Sequence, residues 1–276
     1  MKTKLFTLLI SVFISFCSYG QEKIIKILAI GNSFSEDALE NYLYDLAKAD
    51  GNKIIIGNLY IGGAPISLHV KNGVENKNAY SYRKVNELGV KTTQKETSIE
   101  TALKDEKWDY ISLQQSSPLS GQYDVIMKDL LSLISYVRQH ISKDAKLVYH
   151  QTWAYQKDSS HKGFANYNND QNIMYNAIAA VSKKIAKQKD FNFVVPAGTA
   201  IQNARTSFGD KLTRDGYHLQ LTYGRFTAAC TWYEKLFGKD VTKNSFYPST
   251  ISEEESKTAK KAAHKAFKKP YKISTL

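Results

Sequence analysis

Short apolar runs alternate with stretches of helical periodicity along most of this chain. Five of the apolar runs have the length of a strand, and they cover residues 24–30, 53–61, 108–113, 146–151 and 191–195. Strands that alternate with helices in this way are typical of βα units built around a parallel sheet. The pattern therefore predicts an α/β fold with a five-stranded parallel sheet.

Helical periodicity fills most of the intervals between these runs. It predicts helices over residues 36–49, 98–106, 125–141, 169–187, 197–205 and 222–237. In the first of them, Leu39, Tyr42, Leu43, Leu46 and Ala47 form one apolar stripe. Residues 71–97 break the alternation because they are mostly polar. We predict an inserted loop or hairpin there, beside the carboxyl edge of the sheet, where open α/β sheets bind ligands.

The first twenty residues predict export. Lys2 and Lys4 precede an apolar run over residues 5–16, and Ser18, Tyr19 and Gly20 supply a small-residue exit. This is the pattern of a signal peptide cleaved after Gly20, and the run is too short to span a membrane comfortably. We expect a periplasmic or extracellular protein without a stable membrane anchor.

The two cysteines and the charge add little to this interpretation. Cys17 follows Phe16, whereas lipid attachment needs a small residue there, and its removal leaves Cys230 without a disulfide partner. Much of the formal net charge of +12 lies in seven lysines between Lys257 and Lys272. We interpret them as the solvated face of a basic helical extension near residues 251–276, not as a nucleic-acid surface. Residues 21–276 are predicted to form a single domain.

Ser33 lies where the first strand gives way to the first helix. Free backbone N–H groups at such a junction stabilise a developing oxyanion, which makes Ser33 a candidate nucleophile. Ser33 and Glu36 also fit a capping box, in which the serine accepts a hydrogen bond from the backbone and the glutamate reaches back. Spacing alone leaves both interpretations open.

Two further groups follow the second and third strands. Gly62 and Gly63 allow the backbone to approach a ligand closely, and the run Gln114-Gln115-Ser116-Ser117 offers uncharged donors. Both lie on the same rim of the predicted sheet as Ser33. Each also has a simpler interpretation as a turn with hydrogen-bonding side chains.

A candidate base stands near the end of the chain. His218 lies in a charged, glycine-containing segment, three residues after Asp215, which can hold the imidazole Nδ1–H and leave Nε2 for Ser33. An Asp-Gly turn with a surface histidine is the alternative. His69 and His150 lie near strand ends and are expected to be structural. No histidine pair has metal-ligand spacing, so we expect neither a metal nor a cofactor.

Together these blocks resemble the SGNH or GDSL-type hydrolases. Gly31-Asn32-Ser33-Phe34-Ser35 is similar to the first block of that family, Asn58 to Gly63 to the second, and Asp215-Gly-Tyr-His218 to the last. More narrowly, Gly-Asn-Ser-Phe-Ser and Trp-Asp-Tyr-x-x-Leu-Gln resemble a secreted branch, the domain of unknown function 4886. The third block departs from the family, because it has Gln114-Gln115 where Gly-x-Asn-Asp is usual.

The resemblance implies a three-layer, flavodoxin-like fold and a set of roles. Ser33 would be the nucleophile, His218 the base and Asp215 the residue that orients it. The N–H groups of Ser33 and Gly63 would bind the oxyanion with Gln114 or Gln115, of which Gln114 is preferred.

The expected activity is that of a secreted serine esterase acting on an ester-bearing small molecule or glycan, most specifically on O-acetyl groups of carbohydrate. Asn32, Tyr60 and Trp153 are candidate substrate contacts, and Tyr155 and Tyr167 are further aromatic candidates. Two alternatives remain. A short-chain acyl or lipid esterase needs a broad apolar pocket, and a non-catalytic glycan-binding module would keep the fold alone.

Overall fold

The structure, a computed structural model, describes residues 24–276. The predicted signal peptide, its cleavage after Gly20 and Cys17 lie outside the described residues. Within residues 24–276, no helix is both long and apolar enough to cross a membrane.

Seven strands form one sheet in the order β4-β3-β2-β1-β5-β6-β7. They are β1 (Ile24–Gly31), β2 (Lys53–Tyr60), β3 (Tyr80–Val85), β4 (Lys91–Thr97), β5 (Tyr110–Leu113), β6 (Lys146–His150) and β7 (Phe191–Val195). The five parallel strands are the five that the sequence predicts, within two residues at either end. Their order along the sheet is flavodoxin-like, which confirms the predicted fold class.

The sheet is wider than predicted, because β3 and β4 extend it on one side. β3 pairs antiparallel with β2 from Ile56↔Val85 to Tyr60↔Ser81, and β4 pairs with β3 at the edge. The hairpin thus lies beside β2 and not over the carboxyl edge. β4 is exposed along nearly its whole length, so it carries no apolar alternation by which the sequence could predict it. Polar and charged side chains on such an edge oppose pairing with other chains.

Nine α-helices occur in the described part of the chain. They are α1 (Ser33–Leu39), α2 (Leu43–Ala49), α3 (Ile66–Val74), α4 (Ile99–Asp105), α5 (Tyr123–His140), α6 (Gln171–Ile185), α7 (Ala197–Phe208), α8 (Tyr223–Phe237) and α9 (Glu253–Lys268). The predicted helix 36–49 is two helices with a break at residues 40–42. Asn41 Nδ2 donates to the Glu36 carbonyl at 3.4 Å, a side-chain bond that competes with helix continuation.

The core consists of two layers, one on each face of the sheet. Ile27 and Ala29 of β1 contribute to the layer that contains the buried faces of α1, α2, α7 and α8. Leu28 and Ile30 contribute to the other layer, with α4 and α5. This alternation of side chains along β1 is the period of two that a strand imposes. The result is a three-layer sandwich whose carboxyl edge remains free for a site.

Helix α9 covers α7 and α8 with a row of small residues. Ala259, Ala262, Ala263 and Ala266 are fully buried in that contact. The helix begins with a capping box, in which Ser252 accepts from Glu255 N–H and the Glu255 carboxylate accepts from Ser252 N–H.

Candidate active site

Three side chains from opposite ends of the chain form a continuous hydrogen-bonded row. His218 Nε2 lies 2.8 Å from Ser33 Oγ, and His218 Nδ1 lies 2.6 Å from Asp215 Oδ2. Ser33 is the first residue of α1 and is separated from β1 by Asn32 alone, while Asp215 and His218 precede α8. With the Nδ1 proton directed at Asp215, Nε2 is free to accept the proton of the serine hydroxyl.

The loop of residues 213–219, here called the histidine loop, is built to hold this geometry. Thr213 and Leu219 form an antiparallel bridge, and Arg214 N–H donates to the His218 carbonyl at 2.9 Å. Gly216 turns the chain at φ +91°, a conformation that other residues rarely adopt. Asp215 Oδ1 accepts from the His218 amide at 2.8 Å and from the Tyr217 amide at 3.2 Å. The carboxylate is therefore oriented by its own loop.

These contacts also govern the ionisation of Asp215. Partial burial acts to raise its pKa, but the hydrogen bonds from the His218 ring and from the two backbone amides outweigh burial and lower the pKa below its ordinary value. The carboxylate consequently stays ionised beside the imidazole.

Ser33 does not cap its helix, so the capping-box interpretation is wrong. The cap is Asn32, whose Oδ1 accepts from Phe34 N–H at 3.0 Å. Glu36 points elsewhere, to Arg83 Nη1 at 3.1 Å. Because Asn32 accepts the hydrogen bond from the first turn of α1, the Ser33 hydroxyl is free to bond to His218.

A cavity of about 360 Å³ opens beside Ser33 Oγ. It is lined by Asn32, Ser33, Phe34, Tyr60, Gly62, Gly63, Ser117, Pro118, His161, Tyr217 and His218. Gly63 has φ +65°, and a Cβ there would meet nothing within 4 Å. Within residues 24–276, the amides of Ser33 and Gly63 donate to no other group. Both residues line the cavity, so their amides remain the candidate oxyanion donors.

The two glutamines of the third block do not line the cavity, which corrects their assignment as oxyanion donors. Gln114 is 2% exposed, and its Nε2 donates to Asn32 Oδ1 at 2.7 Å. Gln115 Oε1 accepts from the amides of Ile66 at 3.0 Å and Ser116 at 2.8 Å. Gln114 therefore supports Asn32 from behind, and Gln115 fastens the loop that follows β2.

Most of the aromatic residues predicted to touch substrate belong to the core. Trp153 is fully buried, stacks on Phe34 at 4.2 Å and donates from Nε1 to the Tyr217 carbonyl at 2.8 Å. Tyr155 and Tyr167 are also buried. Tyr60 does line the cavity, and the Arg83 guanidinium lies 3.9 Å from its ring centroid. Trp153 instead supports Phe34 and the histidine loop from below.

Sequence reasoning missed Asp37, which ties α1 to the histidine loop. Its carboxylate is 1% exposed and accepts from Leu219 N–H at 2.7 Å, from Arg225 Nε at 2.7 Å and from Arg214 Nη1 at 3.1 Å. It also missed His161 and Tyr217 of the cavity wall. An acid one helical turn after the serine carries no signal of its own, because its partners lie about 180 residues away.

The remaining histidines lie outside the cavity. His69 and His150 are fully buried, and burial lowers their pKa values to about 4 and about 3. His264 Nδ1 lies 2.8 Å from Glu234 Oε1 and 3.3 Å from Asp240 Oδ1, where α8, α9 and the segment between them meet. The donor types of this last group could hold a metal, but His264 Nδ1 is already directed at the two carboxylates.

Two solved structures have a similar fold. A putative SGNH hydrolase from Slackia heliotrinireducens superimposes with a TM-score of 0.52 at 19% identity, over 78% of this chain and 100% of that chain. The structure named TesA superimposes with a TM-score of 0.50 at 12% identity, over 77% of this chain and 98% of that chain. The fold is that of the SGNH hydrolases.

The chain belongs to the family described as Domain of unknown function (DUF4886), whose model matches residues 26–266. A DUF4886 family protein from Bacteroides uniformis is 51% identical, with a TM-score of 0.90 over 92% of this chain and 98% of that chain. None of the curated proteins matches.

Proposed function

We propose that this protein is a serine esterase that hydrolyses carboxylic esters through an acyl-enzyme. The observation that carries the proposal is the row Asp215–His218–Ser33, with its two distances of 2.6 and 2.8 Å, at the mouth of a cavity. A hydroxyl is a weak nucleophile unless a base takes its proton, and this arrangement supplies both the base and the residue that orients it.

In the first half of the reaction, His218 Nε2 takes the proton of Ser33 as Oγ attacks the carbonyl carbon of the ester. The negative charge that forms on the carbonyl oxygen is bound by the N–H groups of Ser33 and Gly63. The C–O bond to the alcohol then breaks, and the alcohol leaves with the proton from His218.

In the second half, water takes the place of the alcohol. His218 removes a proton from the water, the resulting hydroxide adds to the acyl carbon, and the same N–H groups bind the oxyanion again. The bond to Ser33 breaks, Oγ recovers its proton from His218, and the acid leaves. The ionised Asp215 stabilises the imidazolium in both halves.

Our preferred substrates are O-acetyl groups on carbohydrate. A cavity of about 360 Å³ must hold both the acyl group and the nearest part of the alcohol, which favours a short acyl group. Its wall combines aromatic rings, such as Tyr60 and Tyr217, with polar groups, as sugar binding requires. A lipid esterase has less support because the mostly polar segment 71–97 contributes nothing to the cavity. The proposed place of action is outside the cytoplasm, from the predicted signal peptide.

The test compares the mature protein with its Ser33→Ala variant on p-nitrophenyl acetate and on acetylated xylan. We expect the wild type to release acetate from both and the variant to lose more than about 1,000-fold in kcat, because the nucleophile is absent. Acetate release and p-nitrophenol absorbance measure the two reactions.

The matched control is Ser207→Ala, since Ser207 is an exposed serine on α7. It should retain full activity. Unchanged hydrolysis by Ser33→Ala would rule out the mechanism. A folded wild type that binds acetylated xylan but releases no acetate would favour the glycan-binding module instead.

A further inference from the structure

His161 lies on the cavity wall but belongs to none of the blocks from which the site was predicted. It comes from the long connection between β6 and α6, where it caps a short 3-10 helix, Lys162–Tyr167. The ring is partly exposed and takes no part in the row from Asp215 to Ser33.

The hydrogen bonding of His161 decides which ring nitrogen can donate. Gly163 N–H donates to His161 Nδ1 at 3.0 Å, so the proton of the neutral ring is on Nε2. Burial and the neighbouring His218 lower the pKa of His161, in spite of an opposite effect from Asp215. Since no group within residues 24–276 bonds to Nε2, the ring offers one free N–H donor.

The ring is also held in a fixed orientation by its neighbours. Its centroid lies 4.8 Å from that of Tyr155 and 4.7 Å from that of Tyr217, the latter in an edge-on contact. Tyr155 is buried and its hydroxyl bonds to Ser117 Oγ at 2.7 Å, so this support is rigid. A donor fixed in advance loses little entropy when a ligand binds.

We propose that His161 Nε2–H binds a hydroxyl oxygen of the alcohol part of the ester and so selects polyhydroxylated alcohols. This inference rests on the proposed esterase function and deepens it. Together with Tyr217, His161 would form an alcohol subsite.

The position of His218 tells which part of the ester faces His161. The leaving alcohol takes its proton from His218 Nε2, so its oxygen must lie next to that atom. Tyr217 packs against both rings, with centroids 4.2 Å from His218 and 4.7 Å from His161. His161 therefore borders the alcohol, whereas the amides of Ser33 and Gly63 border the carbonyl oxygen. A donor at this place reaches a second hydroxyl of a sugar and finds no partner on an alcohol without one.

Three variants separate donation to substrate from capping of the 3-10 helix. His161→Asn keeps an acceptor for Gly163 N–H but removes the donor at the position of Nε2. His161→Gln loses the acceptor for Gly163 N–H but keeps a donor, because its longer side chain brings an amide N–H to the position of Nε2. His161→Phe keeps the ring and removes both. Each is compared with the wild type on an acetylated methyl xyloside and on cyclohexyl acetate, whose alcohol has a similar ring but no further hydroxyl.

We expect kcat/KM for the xyloside to fall about tenfold in the Asn and Phe variants and to recover in the Gln variant, with less than about twofold change for cyclohexyl acetate. Equal losses on both substrates, or recovery in Asn and not in Gln, would overturn the inference. So would a wild type that does not prefer the xyloside. Ser33-dependent hydrolysis of p-nitrophenyl acetate is measured in parallel. If one of these contradicting outcomes occurs and p-nitrophenyl acetate is still hydrolysed, only the alcohol subsite is wrong. If p-nitrophenyl acetate is not hydrolysed either, the esterase proposal is wrong as well.

Discussion

Gln114 illustrates how a single buried side chain can act on the site without entering the cavity. Asn32 Oδ1 accepts from Phe34 N–H, which fixes the orientation of the Asn32 side-chain amide. Gln114 must therefore donate from Nε2 to Asn32 Oδ1. Gln114 Oε1 then faces His150 Nδ1 at 3.0 Å and accepts a hydrogen bond from Nδ1–H. Asn32 Nδ2 donates to the Ala64 carbonyl at 3.1 Å. The row from His150 to Ala64 thus holds together the turn before Ser33 and the loop with Gly63.

Replacing Gln114 with leucine tests this support. Gln114→Leu leaves the buried His150 Nδ1–H without an acceptor, which should lower the free energy of unfolding by about 1 to 3 kcal/mol. We also expect kcat to fall about tenfold with little change in KM, because Ser33 and Gly63 lose their relative placement. Urea unfolding and steady-state kinetics measure the two effects.

Gln139→Leu, on the exposed side of α5, is the matched control and should behave as the wild type. A Gln114→Leu enzyme with normal kcat and reduced stability would show that the row is structural only.

At the scale of elements, the site depends on α1 being fixed to the histidine loop. The sequence predicts a helix and an exposed loop here, but their contact joins residues almost 200 positions apart. Asp37 makes that contact by accepting from Leu219 N–H on the loop and from Arg225 on α8. The side chain of Arg214 adds a bond to the Leu219 carbonyl. His218 is thereby held between two anchored positions.

The Asp37→Ala variant should separate these elements. Removing a buried carboxylate leaves two arginines without their partner, which costs about 3 kcal/mol in the free energy of unfolding. We expect kcat to fall at least about tenfold in the folded fraction, because His218 is no longer held at 2.8 Å from Ser33. The measurement is urea unfolding together with kcat at a temperature where the variant is folded.

Asp144→Ala, in an exposed loop, controls for the loss of one carboxylate. An Asp37→Ala enzyme that unfolds like the wild type would show that the histidine loop has other sufficient anchors.

At the scale of the whole molecule, two histidines are buried as neutral rings, one in each of the two core layers. His69 bonds to Tyr80 OH at 2.8 Å, and His150 packs edge-on against Trp232 at 5.3 Å. Burial lowers their pKa values to about 4 and about 3, whereas an imidazole in an unfolded chain has a pKa of about 6.5. Between these values the unfolded chain binds more protons than the folded one.

The free energy of unfolding should therefore be highest above about pH 6.5 and should decrease as the pH falls toward 4. At pH 5 each histidine reduces the free energy of unfolding by about 2 kcal/mol relative to pH 7. In the His69→Asn variant, the difference between pH 7 and pH 5 should be smaller by about 2 kcal/mol. Urea unfolding at both pH values tests this. An unchanged difference would mean that His69 takes up a proton in the folded protein as readily as in the unfolded one.

Features of the fold and site could be predicted from the sequence where they depend on residues close together in the chain. The five parallel strands, most helices and the serine, aspartate and histidine of the site are visible in the sequence. Their signals are local, whether a run of apolar residues, a helical period or an acid three residues before a histidine. The flavodoxin-like strand order came from the resemblance to the SGNH hydrolases and not from the residue pattern. Residues 71–97 were predicted only as a loop or hairpin, because β4 is an exposed edge strand and carries no apolar alternation.

Only the tertiary structure decided which side chains reach the cavity. Trp153 and Gln114 resemble ligand-binding residues in the sequence, yet both are buried, whereas His161 gives no signal and lines the wall. Sequence position places a residue on the rim of the sheet, but the packing of neighbouring side chains decides whether its side chain points into the core or into the cavity. That packing is non-local: Asn32 is fixed by Gln114, and the histidine loop by Asp37. The chemistry of the site was thus encoded locally, and its accessibility was decided by contacts between distant parts of the chain.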